Sequence, residues 1–159
     1  MRKNLSNIIR LVLVFMLISS AAMCIFWLPN AVDYAGKIFE NAENFKNVKY
    51  LLYAIGYIIA LPLFAVFIIA FRFPSAIETD SVFHKKTARL IKAISIIIFS
   101  DCALFGAVVA WLFSIGERVL SPVLAFVDAI GFTVALMLLV LSEYVSRAAI
   151  LKEEADYTI

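Results

Sequence analysis

Apolar residues in this chain gather in four long stretches separated by short polar segments. The stretches are Leu11–Leu28, Leu51–Phe71, Ala93–Phe113 and Val119–Leu141. Each holds about 18 to 23 residues, and a helix that rises about 1.5 Å per residue needs about 20 residues to cross a hydrocarbon core of about 30 Å. The pattern therefore predicts four membrane-spanning helices, numbered here as spans one to four.

Composition agrees with four spans and leaves little for anything else. Hydrophobic residues make up 64% of the 159-residue chain, and its mean hydropathy of +0.98 exceeds what a soluble domain of this size can bury. The segments between the spans are too short to form a second core. We therefore predict an all-α, integral membrane four-helix bundle: a single domain over residues 1–159, with a short helical tail at 142–159. The formal net charge of +2 argues against direct nucleic-acid binding.

Basic residues are distributed unevenly between the two sides of the predicted spans. The side that holds both termini carries Arg2, Lys3, Arg10, Arg72, Lys85, Lys86, Arg89, Lys92, Arg147 and Lys152. The other side carries Lys37, Lys46, Lys49 and Arg118. Because basic segments tend to stay in the cytoplasm, the sequence predicts a cell membrane protein with both termini cytoplasmic. This topology places Trp27 and Trp111 together at the outer interface, where aromatic rings are favoured.

Span one has an alternative interpretation as a cleaved signal peptide, since basic residues precede its apolar run. Two features argue against it. The run is longer than a signal peptide needs, and its small residues at 19–22 are followed by further apolar residues instead of a polar mature sequence. We therefore expect span one to be retained.

Local signals refine the predicted helices. Ser121 followed by Pro122 is typical of a helix N-cap and first turn, so span four is expected to begin at Pro122. Pro62 is expected to kink span two. Only five residues, 114–118, separate spans three and four, so these two helices are predicted to form an antiparallel hairpin. Small residues at helical spacing mark the expected close contacts between helices, namely Gly106 with Ala110 and Ala125 with Ala129.

Two carboxyls lie within the spans, Asp101 in span three and Asp128 in span four. Acidic side chains are costly at membrane depth and usually face a bundle interior or a water-filled cavity. No Lys or Arg lies inside a span to keep them ionised, so both are expected to be mainly protonated. Their different depths disfavour a direct carboxyl pair, and no third ligand accompanies them for a divalent metal. They either hold helices together by hydrogen bonds or line a wet proton path.

Hydroxyl groups at similar depths are the expected partners of these acids. The intramembrane polar candidates are Asp101, Asp128, Thr133, Tyr57, Ser19 and Ser20. Counted at about 1.5 Å per residue, Thr133 is level with Asp101 and the other hydroxyls lie near Asp128. Such a layer of hydroxyls would satisfy two protonated carboxyls within the bilayer.

The richest polar segment reads DSVFHKKTARLIK and precedes span three at residues 80–92. We expect helix three to begin here, with Thr79, Asp80 or Ser81 as its cap. Four basic residues form a face of this helix: Lys85, Lys86, Arg89 and Lys92. That face either rests on anionic lipid headgroups of the bilayer or docks an acidic cytoplasmic partner.

Span four is predicted to continue as a helix into the cytoplasm and to end in the acidic pair Glu153 and Glu154. Glu143 and Arg147 stand four residues apart, the spacing of a helical ion pair. The acidic end either folds back onto the basic face of helix three or remains a solvated helix end. Both alternatives stay open from the sequence.

Two patches of this chain follow a known family pattern. DSVFHKKTARLIKAISIII at the start of helix three is similar to an Asp-Phe-Ser/Thr opening followed by Arg-Leu and an aliphatic run. VLSEYVSRAAILKEEADYTI resembles an ending of Glu, aromatic residue and Arg, then Leu-x-Glu-Glu-x-Asp-x-Thr-Val/Ile. The chain departs from the pattern at His84 and Thr87, where a hydroxyl cap and an asparagine are usual. It thus resembles a family of small bacterial four-span membrane proteins catalogued as domain of unknown function 2975.

That resemblance implies a regulatory or sensory membrane protein, because family members are often encoded beside a short helix-turn-helix regulator. The first hypothesis is accordingly a non-catalytic sensor or interaction protein that acts with a cytoplasmic regulator. The alternative is a small proton-coupled transporter or exporter, in the form of a homo-oligomer, that uses Asp101 and Asp128. An enzyme ranks third, since the sequence lacks a nucleophile–base pair, HExxH or a glycine-rich phosphate cradle. No catalytic, cofactor-binding or metal site is predicted.

Overall fold

The computed structural model describes residues 2–38, 45–78, 84–114, 118 and 120–157. All regular structure in these ranges is α-helical, as predicted. The helices are α1 (Arg2–Ile38), α2 (Phe45–Ala70), α3 (Phe73–Glu78), α4 (Lys85–Ser114) and α5 (Leu120–Tyr157). Each of the four long helices, α1, α2, α4 and α5, supplies a segment long and apolar enough to cross a membrane. The prediction of an all-α protein with four spans is therefore confirmed.

The helices pack in the order α1, α2, α4, α5, and α3 packs against α1. The largest interface lies between α4 and α5. Ser95 Oγ on α4 donates a buried hydrogen bond to the Ala135 carbonyl on α5 at 2.7 Å, and the Phe99 and Phe132 ring centroids are 4.8 Å apart. Later residues of α4 contact earlier residues of α5: Ser95 meets Ala135, Phe99 meets Phe132 and Cys102 meets Gly131.

One face of α5 supplies the contacts to α4. Its buried residues recur at multiples of the helical repeat: Ser121, Ala135, Ser142, Val145 and Ala149. Gly131 lies on the same face, where an added Cβ would stand 3.0 Å from Cys102 Sγ on α4. Small residues at this face let the two helix backbones approach closely.

The expected small-residue contacts are correct in one position and wrong in three. Gly106 lies against α5, but Ala110, Ala125 and Ala129 are exposed. Every face of a membrane helix is apolar, so small-residue spacing does not by itself identify which face meets a neighbour.

Helices α1 and α2 meet closely where Leu28 passes Gly56. A Cβ added at Gly56 would come within 2.5 Å of Leu28 Cδ1, so a larger residue at position 56 would require the Leu28 side chain to shift. Nearby, Lys49 Nζ donates to Asp33 Oδ1 at 2.7 Å. This hydrogen bond, with the charge of Asp33, raises the pKa of Lys49. Between Ser6 and Val32, in contrast, no side chain of α1 is buried.

The starts of α5 and α4 can be compared with the starts that the sequence predicts. Helix α5 begins at Leu120, so the expected start at Pro122 is wrong by two residues. Proline is tolerated there because the first turn has no intrahelical acceptors for its N–H groups. Helix α4 begins at Lys85, and the His84 carbonyl accepts from Thr87 N at 2.9 Å. The proposed caps Thr79, Asp80 and Ser81 lie outside the described residues.

Most large apolar side chains of the four long helices face outward. Leu11, Phe15, Phe26, Leu61 and Met137 are each more than half exposed, the reverse of a soluble core. A bilayer covers such surfaces, because its acyl chains are as apolar as the side chains. Helix α2 runs unbroken through Pro62, and the kink there stays a prediction.

Candidate functional site

Short helix α3 is attached to the first turns of α1 by a buried hydroxyl. Ser6 is 0% exposed and its Oγ donates to Glu78 Oε1 at 2.7 Å. The same Oγ lies 3.2 Å from the Pro74 carbonyl. Arg10 Nη2 reaches Glu78 Oε1 at 3.1 Å. One carboxylate oxygen of α3 therefore holds two side chains of α1.

Phe73, the first residue of α3, contacts the α4–α5 pair. Phe73 packs against a buried cluster of Ala88 and Ile91 from α4 and Val145 from α5. A turn ends α2 just before this point, because Arg72 N donates to the Ile69 carbonyl at 3.0 Å. Pro74, which lacks an N–H, sits in the first turn of α3, where no backbone donor is needed. Helix α3 thus contacts three of the four long helices, α1, α4 and α5, at one end of the bundle.

We call this end, which contains Ser6, Glu78, Lys85 and Glu153, the terminal end. Here Lys85 Nζ on α4 lies 2.6 Å from Glu153 Oε2 on α5, and both side chains are about half exposed. The pair forms between two helices that lie side by side, without a tail that folds back, because α5 is continuous to Tyr157. The closing residues Thr158 and Ile159 lie outside the described part of the chain.

Charges at the terminal end are not balanced. Each described acidic side chain there has a partner: Glu78, Glu143, Glu153 and Glu154. Six exposed basic side chains have no partner among the described residues: Lys3, Arg72, Lys86, Arg89, Lys92 and Lys152. The predicted basic face of α4 is therefore available at Lys86, Arg89 and Lys92, whereas Lys85 is engaged by α5.

A second polar group lies deep in the α4–α5 interface. Asp128 Oδ2 stands 3.0 Å from the position that a Cβ on Gly106 would take, so this glycine makes room for the carboxyl. Cys102 lies at the same interface, with its Sγ 3.0 Å from the position that a Cβ on Gly131 would take. The Oδ1 atoms of Asp101 and Asp128 are both buried without a hydrogen-bond partner in the described structure. The two helices therefore enclose polar atoms that are not satisfied.

The hydroxyls that were expected near these acids are either exposed or bonded to carbonyls of their own helices. Thr133 Oγ1 donates to the Ala129 carbonyl at 2.8 Å, and Ser20 Oγ donates to the Met16 carbonyl at 2.8 Å. Ser19 and Tyr57 are exposed. Among the described residues none of these four hydroxyls bonds to the Oδ1 atom of either carboxyl, and helix hydroxyls readily bond to the carbonyl four residues earlier. The layer of hydroxyls stays a prediction.

Ser95 is a buried polar residue that the sequence analysis missed. Its spacing from Ala88 and Ile91 places it on the buried face of α4, which was an available signal. In the described residues, no group of three or more His, Cys, Asp or Glu side chains is arranged to hold a metal ion. Cys24 and Cys102 are both free thiols.

Comparison with known proteins gives one family and one relative. The family model described as "Protein of unknown function (DUF2975)" matches residues 34–159, which include α2 to α5 and the last turn of α1. The chain is 23% identical over 155 residues to the "Uncharacterized membrane protein YoaS" of Bacillus subtilis (strain 168), a match that covers 95% of each protein. No solved structure matches.

Proposed function

This chain belongs to the DUF2975 family, and from that premise we propose that it is a non-catalytic sensor or regulatory membrane protein whose terminal end binds a cytoplasmic partner. The terminal end carries ten of the chain's 14 basic residues, and this bias supports a cytoplasmic position for both termini. The order of contacts between α4 and α5 supports an antiparallel hairpin whose open end faces the cytoplasm.

The observation that carries the proposal is the length of α5. Its 38 residues make a helix about 57 Å long, whereas a hydrocarbon core is about 30 Å thick. Nearly half of α5 therefore extends past the core, together with the first turns of α4. The Lys85–Glu153 pair ties these two extensions together. We call these paired, charged extensions, residues 85–92 of α4 and 142–157 of α5, the stem. The stem offers a surface that a membrane anchor alone does not need.

Charge defines the partner that the stem fits. With the described acids paired and Lys86, Arg89 and Lys92 unpaired, the surface attracts an acidic protein segment. The family resemblance points to a small helix-turn-helix regulator as that protein. Nucleic acid would then be contacted by the partner and not by this chain. Lipid headgroups are the competing ligands for the same side chains, and Lys92 lies nearest to them.

A transcript comparison tests the proposal without knowledge of the stimulus. If the stem controls a DNA-binding partner, deletion of residues 153–159 reproduces the transcript changes caused by deletion of the whole protein. Neutralisation of Lys86, Arg89 and Lys92 to Gln gives the same result. The matched control neutralises Lys3 and Arg72, which are equally exposed bases outside the stem. A wild-type transcript profile in the tail-deleted strain, with normal membrane abundance, contradicts the proposal.

A small proton-coupled transporter is the second candidate, and the unsatisfied Oδ1 atoms of Asp101 and Asp128 favour it. A carboxyl without a partner inside the membrane can exchange a proton with a passing substrate or water. Four spans are few for a transport path, so this function implies a homo-oligomer. Here Asp101→Asn or Asp128→Asn abolishes activity and the tail deletion is harmless, which is the reverse of the sensor pattern.

A further inference from the structure

We propose that α3 is a coupling element that transmits displacement of α1 to the α4–α5 pair. Ser6 and Arg10 attach it to α1 through Glu78, and Phe73 attaches it to α4 and α5. The proposal rests on the proposed function only for the use made of the coupling. The coupling itself is a property of three contacts at the terminal end.

The two halves of α1 are held by different contacts. Near its C-terminal half, α1 meets α2 at Leu28 and Gly56 and pairs with it through Asp33 and Lys49. Toward its N-terminus no α1 side chain is buried until Ser6. The contact with α3 is therefore the attachment that buries a side chain of this half of α1 most completely, beside half-buried packing along residues 9–28.

The contact between α1 and α3 combines a buried hydrogen bond with a charged contact. The Ser6 hydroxyl is fully buried, so separation of α1 from α3 leaves a buried donor and the Glu78 carboxylate without their partners. Loss of a partner by a buried polar group costs more than the hydrogen bond itself contributes. Arg10 adds a charged contact to the same Glu78 oxygen. When α1 shifts by a small distance, we therefore expect α3 to move with it.

Helix α3 is short enough to move as one unit. Six residues of helix are about 9 Å long, too short to bend internally, so the two ends of α3 move together. Phe73 is packed among Ala88, Ile91 and Val145, which belong to the first turns of α4 and to the stem of α5. Packed apolar clusters shift between discrete arrangements more readily than they stretch. Displacement of α1 therefore changes how α4 and α5 meet at the stem.

Hydrogen–deuterium exchange on the full chain in lipid nanodiscs tests the coupling. In Ser6→Ala we expect amides of α3 and of residues 85–95 and 142–153 to exchange about five- to tenfold faster, the population change expected from loss of one buried hydrogen bond. The conservative variant Glu78→Gln keeps an acceptor for Ser6 and weakens only the Arg10 contact, so its effect is smaller. Asp33→Asn is the matched control, since it breaks an α1 ion pair with α2 that does not involve α3.

Reciprocity provides a second measurement. If α3 couples the two sides, Phe73→Ala loosens the first turns of α1 by a factor similar to that by which Ser6→Ala loosens α4 and α5. Faster exchange confined to α1 and α3 overturns the proposal, as does an equal response to Asp33→Asn or no response in any variant. Should Ser6→Ala fail to accumulate, Glu78→Gln and Phe73→Ala still decide the question. Exchange reports helix motion alone, so a negative result here leaves the partner proposal standing, and a negative transcript test leaves the coupling standing.

Discussion

The carboxyl of Asp128 lies against Gly106 across the α4–α5 interface, so closely that a Cβ on this glycine would stand 3.0 Å from Oδ2. A side chain at position 106 would therefore crowd the Asp128 carboxyl. Ala110 lies one helical turn further along α4 and is exposed. The two positions form a natural pair for testing the interface.

Gly106→Leu is expected to destabilise the protein by about 1–3 kcal/mol, because the added atoms overpack a closed helix contact. Ala110→Leu is expected to change stability little, since its side chain faces the surroundings of the bundle. Thermal unfolding in detergent, followed by circular dichroism, measures both. Equal stability of the two variants would show that Gly106 does not face α5.

No basic residue shares the spans of Asp101 and Asp128, so neither carboxyl has an ion-pair partner within its span to lose on substitution. Asn is nearly isosteric with a protonated acid, so Asp101→Asn and Asp128→Asn should leave membrane abundance close to that of the wild type. Leu cannot form hydrogen bonds and should lower abundance if the acids hold helices together. Immunoblots of membrane fractions measure this. Tolerance of Leu at both sites would remove the structural role and favour a wet cavity.

The Lys85–Glu153 pair is half exposed, so its contribution to stability is expected to be about 1 kcal/mol or less. Glu153→Gln should therefore leave unfolding almost unchanged while weakening any process that needs the two stem helices held together. Exchange of the charges, Lys85→Glu with Glu153→Lys, should restore that process. A double-mutant cycle on unfolding midpoints gives the coupling energy of the pair. A large loss of stability in Glu153→Gln alone would contradict the assignment of an exposed pair.

Topology follows from the uneven distribution of basic residues. Cysteines placed singly at Lys37 and Lys152, in a chain without its native cysteines, should react differently with an impermeant maleimide added to intact cells. The first should be labelled and the second protected until the membrane is opened. Labelling at position 152, or protection at position 37 while other outer sites react, would reverse the proposed orientation.

The sequence alone determined the four spans, because a bilayer accepts a backbone only when a long apolar helix satisfies its own hydrogen bonds. It also located the charges of the stem, since Lys85 and Glu153 stand in polar segments that no apolar run conceals. It did not reveal α3. Six residues, FPSAIE, carry too little periodicity, and their helix is stabilised by Ser6, which is 68 residues from Pro74.

Only the tertiary structure decided which faces of the spans meet. In a soluble protein apolar residues mark the buried side of a helix, but in a membrane both sides are apolar and the pattern loses that information. Gly131 and Ala135 therefore face α4 while Ala125 and Ala129 are exposed, although all four are small. The Asp128 carboxyl finds its place for the same reason: close approach of two backbones at Gly106, and not local sequence, creates the space that it occupies.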